Sequence, residues 1–182
     1  MRKFAALALG ALAVTAGVSW SRSNGEEPQQ AILPRPFTAD QIRDEFVPGL
    51  TIELLRRTPA GESRDRWTVV AADAEGVAIE SAVLDAEDKP AGEPKVERSG
   101  WVELRDHATF PADRSAREEV TRDTPLGRLA GWLYTVRDPG AGTVSEFFFA
   151  TSLPGAPVEM RVTKGGETVF EMVQQVRRRP PR

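Results

Sequence analysis

The residues of this chain that could do acid–base, nucleophilic or metal chemistry stand at spacings that do not combine. The one histidine, His107, directly follows Asp106, and an Asp-His pair can orient a general base. The two fall in a predicted helix, however, where adjacent side chains diverge by about 100°, so Asp106 does not face the imidazole it would hold. A serine triad would need the same histidine, and no Gly-x-Ser-x-Gly elbow presents a nucleophile. Cysteine is absent, which excludes a thiolate nucleophile, disulfides and a cysteine-based zinc site. Glu118 and Glu119 are adjacent on a predicted strand and point to opposite faces, which spoils them as an acid and base pair. Asp85, Glu87 and Asp88 suggest a calcium loop, but Lys89-Pro90 stands where the next ligand belongs and no glycine makes the sharp turn. Gly140-Ala141-Gly142 leads into a strand, so it reads as a hairpin and not as a phosphate cradle. The expectation is a protein that is not an enzyme, with no cofactor and no metal.

What remains is apolar bulk. Trp132 and Tyr134 share one face of a predicted strand, Phe147, Phe148 and Phe149 are consecutive in the next, and Phe170 and Met172 share a face of the last. A phenylalanine triplet puts bulk on both faces of a sheet, so neither face there is simply solvated. One reading is ordinary core beneath covering helices. The functional reading is a curved sheet whose concave face holds a lipid or lipoprotein acyl chain, lined by Trp67, Trp132, Phe148, Met160 and Phe170. A different class of function is a protein interaction module with no cavity, docking an envelope protein through the aromatic strand or a sheet edge.

The elements that must position these residues follow from the punctuation. Thr38 and Gln41 form a capping-box signature, and Ile42 and Phe46 share a face, which predicts a helix from Ala39 to about Phe46, ended by Pro48-Gly49. Segments of seven to twelve residues then alternate with Gly, Pro and Asp turns. They predict strands near 50–57, 64–73, 77–85, 95–99, 116–123, 128–137, 143–150, 157–163 and 168–177. Trp67, Val69 and Ala71 should share a face, as should Val77, Ile79, Ser81 and Val83, and Val158, Met160 and Val162. Between the fourth and fifth strands, Trp101, Leu104 and Ala108 recur at helical spacing, with Ser99 as cap and Pro111 as stop, predicting two to three helical turns. The fold class is mainly β (α+β): one curved antiparallel sheet or half-barrel of about eight or nine strands, with two short helices. A meander is the expected topology.

The address lies at the start. Arg2 and Lys3 precede an apolar run from Phe4 to Val18, the anatomy of an export signal and too short to cross a bilayer comfortably. The expected organisation is a signal at 1–18, cleaved or kept as an anchor, a polar linker at 19–36, a β-rich domain at 37–178 and a basic tail at 179–182. The localisation implied is periplasmic or secreted, with membrane contact only through an uncleaved signal. The formal charge of −3 falls to about −5 once Arg2 and Lys3 are removed. That excludes the basic footprint of a nucleic-acid binder.

A family resemblance rests on three runs: TPLGRLAGWLYTVRD, SEFFFATSLPGAPVEMRV and GGETVFEMVQQ, within Thr124 to Met172. Their order of strand, hairpin, aromatic strand, Leu-Pro-Gly, strand, hairpin and strand is similar to exported proteins with the half-barrel of the periplasmic lipoprotein carriers and receptors (LolA/LolB-like). The resemblance implies a concave sheet, an apolar interior, no cofactor and a carrier, sensor or envelope-maintenance role. The absence of a lipobox cysteine excludes the lipid-anchored receptor form. The carrier family's functional arginine matches no residue here, so no family site is carried over.

Overall fold

The computed structural model describes residues 31–181; the expected signal, linker residues 19–30 and Arg182 lie outside them. Helix α1 (Ala39–Glu45) begins at the expected capping box. Thr38 Oγ1 accepts the Gln41 amide at 3.1 Å, and the Gln41 side chain accepts the Thr38 amide at 2.9 Å. Nine strands follow: β1 (Thr51–Thr58), β2 (Gly61–Ala72), β3 (Gly76–Leu84), β4 (Lys95–Gly100), β5 (Ser115–Thr124), β6 (Gly127–Asp138), β7 (Thr143–Ala150), β8 (Glu159–Lys164) and β9 (Glu167–Arg178), with helix α2 (Trp101–Asp106) between β4 and β5.

All nine form one open antiparallel sheet in the order β4-β3-β2-β1-β9-β8-β7-β6-β5. The expected single meander is therefore two, β1 to β4 and β5 to β9, joined by pairing β1 to β9. Hairpin turns are local and can be read from Gly, Pro and Asp, but the sequence carries no such mark for the β1–β9 pair, which meets across 114 residues at Arg57 and Glu171.

One sheet face is covered by α1, α2 and the segment before α1. The main core lies there, with Phe37, Ile42 and Phe46 packed against Leu50, Leu54, Tyr134 and Phe149. The opposite, outer face carries a smaller cluster of Leu133, Phe148, Ala150 and Val158. Four expectations are corrected by the structure. A bulge between Val69 and Ala71 shifts the phase of β2, so Ala72 and not Ala71 continues the core face, and Val70 is left exposed. Val158 precedes β8 and joins the outer cluster, apart from Met160. Helix α2 has six residues instead of two to three turns. Its N-cap is Gly100, whose amide donates to the Glu103 carboxylate at 3.2 Å, and not Ser99.

The expected linker and tail are also partly structured. Leu33 N–H donates to Phe110 O at 2.9 Å, and Ala112 N–H donates to Ala31 O at 2.8 Å, so residues 31–33 run as a short extended strap. Arg35 pairs with Asp106 at 3.0 Å. In the tail, Arg179 pairs with Glu45 at 3.2 Å and donates to Asp44 O at 2.9 Å.

Candidate functional site

Strands β6 and β7 build the aromatic centre of the helix-covered face, because their register sets Trp132 opposite Phe149 and Tyr134 opposite Phe147. Tyr134 is fully buried, and its hydroxyl donates to Pro34 O in the strap at 2.6 Å. Phe110 stacks on its ring at 4.4 Å, and Phe149 meets it edge-on at 5.7 Å. Burial pushes the Tyr134 phenol above its ordinary value, with the nearby Arg117 charge working the other way.

The five residues expected to line a hollow divide between the two faces of the sheet. Trp67, Trp132, Met160 and Phe170 are partly buried against the main core on the helix-covered face. Phe148 is on the outer face, opposite Leu133 and Glu159, with no exposure. Strand alternation puts the middle residue of a Phe triplet across the sheet from its neighbours. Phe37, Phe46, Trp101 and Phe110, from the helices and the segments beside them, pack over the face that carries four of the five. Two hollows among the described residues lie outside that packed core, and Phe148 and Met160 both border the first. One, of about 50 Å³, sits on the outer face between Arg122, Phe148, Glu159 and Glu171. It is far smaller than the roughly 300–1,000 Å³ of a small-molecule pocket. The other is an open depression beside Glu45, Pro154 and Arg179.

Two polar features were missed by sequence reasoning. The first is a buried clamp that holds α1 to the C-terminal end of β9, a central strand. Arg177 Nε and Nη2 approach Glu45 Oε1 at 3.1 and 3.0 Å, Nη2 donates to Pro154 O at 2.8 Å, and the guanidinium lies 5.9 Å from the Phe46 ring. Burial lowers the Arg177 pKa and the Glu45 carboxylate opposes that shift. Gln174, with no exposure, donates to the carbonyls of Ala156 and Pro157. Basic residues near a chain end gave no sign of this role, since the partner is 132 residues away. The second feature is Arg117, whose guanidinium lies 3.5 Å from the centre of the Trp132 ring. Alternation on β5 could have placed it there only once β5 was known to pair with β6.

The candidate chemical residues stay apart. Asp106 pairs with Arg105 and Arg35, while His107 ends α2. The side-chain hydrogen bond from Arg105 holds the Asp106 carboxyl below its usual range. Asp85 caps its own turn, its carboxylate accepting the amides of Glu87 and Lys89. Glu118 and Glu119 fall on opposite faces, opposite Leu133 and Trp132. Among the described residues, no three His, Asp or Glu side chains gather as a metal site would need.

No protein-family model matches the sequence, and no curated protein does. Solved structures match by fold. The complex of MucA and MucB from Pseudomonas aeruginosa aligns at a TM-score of 0.54 and 11% identity, over 76% of this chain and 54% of that one. MucB in complex with MucA(peri) gives 0.54 at 10% identity, over 76% and 53%. MucB crystallised without a stated partner gives 0.53 at 12% identity, over 76% and 56%. This chain spans about half the length of those it matches. At such identities the likeness is one of fold.

Proposed function

We propose that this protein is a non-enzymatic, exported envelope protein of LolA-like architecture that works by docking a partner protein, and that it does not carry a lipid. One observation carries the reading: its own helices and strap pack the sheet face that a carrier would leave hollow. The fold likeness supports it, since MucB is seen in complex with another protein, MucA. A fold hosts many functions, and the weight therefore rests on the packed face. Surfaces open to contact among the described residues include Arg117 with Trp132 near β5 and the sheet edges at β4 and β5.

The test is native mass spectrometry of the protein recovered from the envelope fraction of its own cells, followed by denaturing lipid extraction. A stoichiometric protein partner and no released lipid is the expected result. A lipid released only on unfolding, with no protein bound, would overturn the docking reading and restore the carrier.

A further inference from the structure

Several strand arginines are held by carboxylates on the sheet. Arg57 and Arg161 meet Glu171, Arg66 meets Glu53, Arg122 meets Glu159, and Arg56 faces the buried Asp65. What sets Arg117 apart is its ring contact: its guanidinium carbon lies 3.5 Å from the centre of the Trp132 ring and 5.8 Å from that of Tyr134, and its Nε is buried with no hydrogen-bond partner. Ser115, two residues away on the same face of β5, has a buried Oγ in the same condition. Glu119, next on that face, is exposed and forms no ion pair with Arg117.

A ring contact uses the face of a guanidinium and not the N–H groups at its rim, which form a fork that fits a carboxylate; in Arg117 the buried Nε is the rim group left without a partner. Its position adds a second constraint. Strand β5 is one of the two ends of the open sheet, ten residues long, and among the described residues no strand pairs with its far side. An unpaired edge offers alternate N–H and C=O groups to an added extended segment. Resting on the docking reading above, we infer that the partner adds an extended segment along β5 and seats an Asp or Glu carboxylate on Arg117, over Trp132 and beside Ser115. The protein is acidic overall, at a formal −3, so general attraction does not bring an acidic peptide to it and the contact must be local.

The test uses a blocked peptide of four Glu-Thr repeats and its Gln-Thr counterpart, titrated into ¹⁵N-labelled protein recovered from the envelope of a bacterial host. The glutamate peptide should move the Arg117 Nε–H, the Trp132 indole N–H and the β5 amides that do not pair with β6, saturably, while the glutamine peptide should not. Arg117→Gln should weaken binding about tenfold, the loss expected for one charge-assisted pair, and Arg117→Lys should restore only part because it lacks the fork. An unchanged amide spectrum elsewhere checks that the variants fold, and Ser115→Ala gives a milder second variant with a smaller loss. Unmoved resonances, or equal binding by Arg117→Gln, would overturn the site. So would a shift of the Arg117 Nε–H in the peptide-free Glu26→Gln/Glu27→Gln variant as large as the peptide produces, since the chain's own acidic pair would then be the occupant. In the envelope preparation, a partner retained in full by Arg117→Gln removes this site and leaves the docking reading standing, whereas no partner on the wild type removes the docking reading itself.

Discussion

Replacing Glu45 by glutamine should destabilise the protein by about 3 kcal/mol, although the change is nearly isosteric. Arg177 has 4% of its side chain exposed and Glu45 has 10%, so neither charge is solvated by water in any useful degree. In the variant the guanidinium keeps Pro154 O at 2.8 Å and Gln174 Oε1 at 3.4 Å, both neutral acceptors. Removing one member of a buried pair costs about 3–5 kcal/mol, and the retained amide oxygen puts this case at the lower end. Arg177→Met should cost less, about 2 kcal/mol, because Glu45 keeps Arg179 at 3.2 Å. The double variant Glu45→Met/Arg177→Met buries no charge and should lose less than the two single losses added together, with a coupling of about 2 kcal/mol. Urea unfolding followed by far-UV circular dichroism measures all three, with unchanged m-values as the condition for comparison. Heating should show Glu45→Gln melting roughly 9 °C lower, at about 3 °C per kcal/mol for a domain of this size. Strict additivity, or a loss under about 1 kcal/mol for Glu45→Gln, would refute the view that this pair locks α1 to the sheet.

Three further outcomes follow from the packing. Tyr134 is the only tyrosine, so absorbance near 295 nm reports it alone; burial raises its folded pKa above the unfolded value of about 10, so its stabilisation is complete below pH ~10 and lost as pH rises through the folded value. Tyr134→Phe should remove that alkaline loss while giving up about 1 kcal/mol at neutral pH from the bond to Pro34, and an ordinary phenol titration in the folded protein would contradict the burial. Gly155→Ala should cost about 2–4 kcal/mol in chemical denaturation, since φ is +116° and a Cβ would stand 2.2 Å from Phe46 Cε2; a neutral result would mean that α1 is not seated as described. Phe148→Ala should lose about 3–4 kcal/mol and partly exposed Phe170→Ala about half of that, and the reverse order in thermal melts would argue against the face assignments.

Local structure was legible because its causes are local. The Thr38–Gln41 box, the alternating strands and the Gly, Pro and Asp turns mark their elements within a few neighbouring residues, and each strand lies within three residues of its expected start. Faces were legible where alternation runs unbroken, as for Trp132 with Tyr134 and Phe170 with Met172, all in one core. They were lost where a bulge shifts the phase, as after Val69, and where Val158 sits outside its strand. The candidate site was the least legible part. Whether an aromatic face is hollow or filled depends on what lies over it, and Phe37, Phe110 and Pro34 arrive there by contacts across many tens of residues. Glu45 with Arg177 and Arg117 over Trp132 depend likewise on strand order.

The junction of β1 with β9 also sets a timetable. Strand β1 finds β2 across the turn at Pro59-Ala60, but its other edge stays bare until Glu167 to Arg178 has been made. Contacts between remote segments close slowly and late, and the Arg177 clamp on α1 comes from that same final strand. Neither half of the sheet can complete the core by itself, so the polypeptide stays unlocked until β9 has been made. The hazard lies in interruption: a chain stopped before Glu167 would carry an open β1 edge beside Ile52 and Leu54, a template on which truncated copies would aggregate.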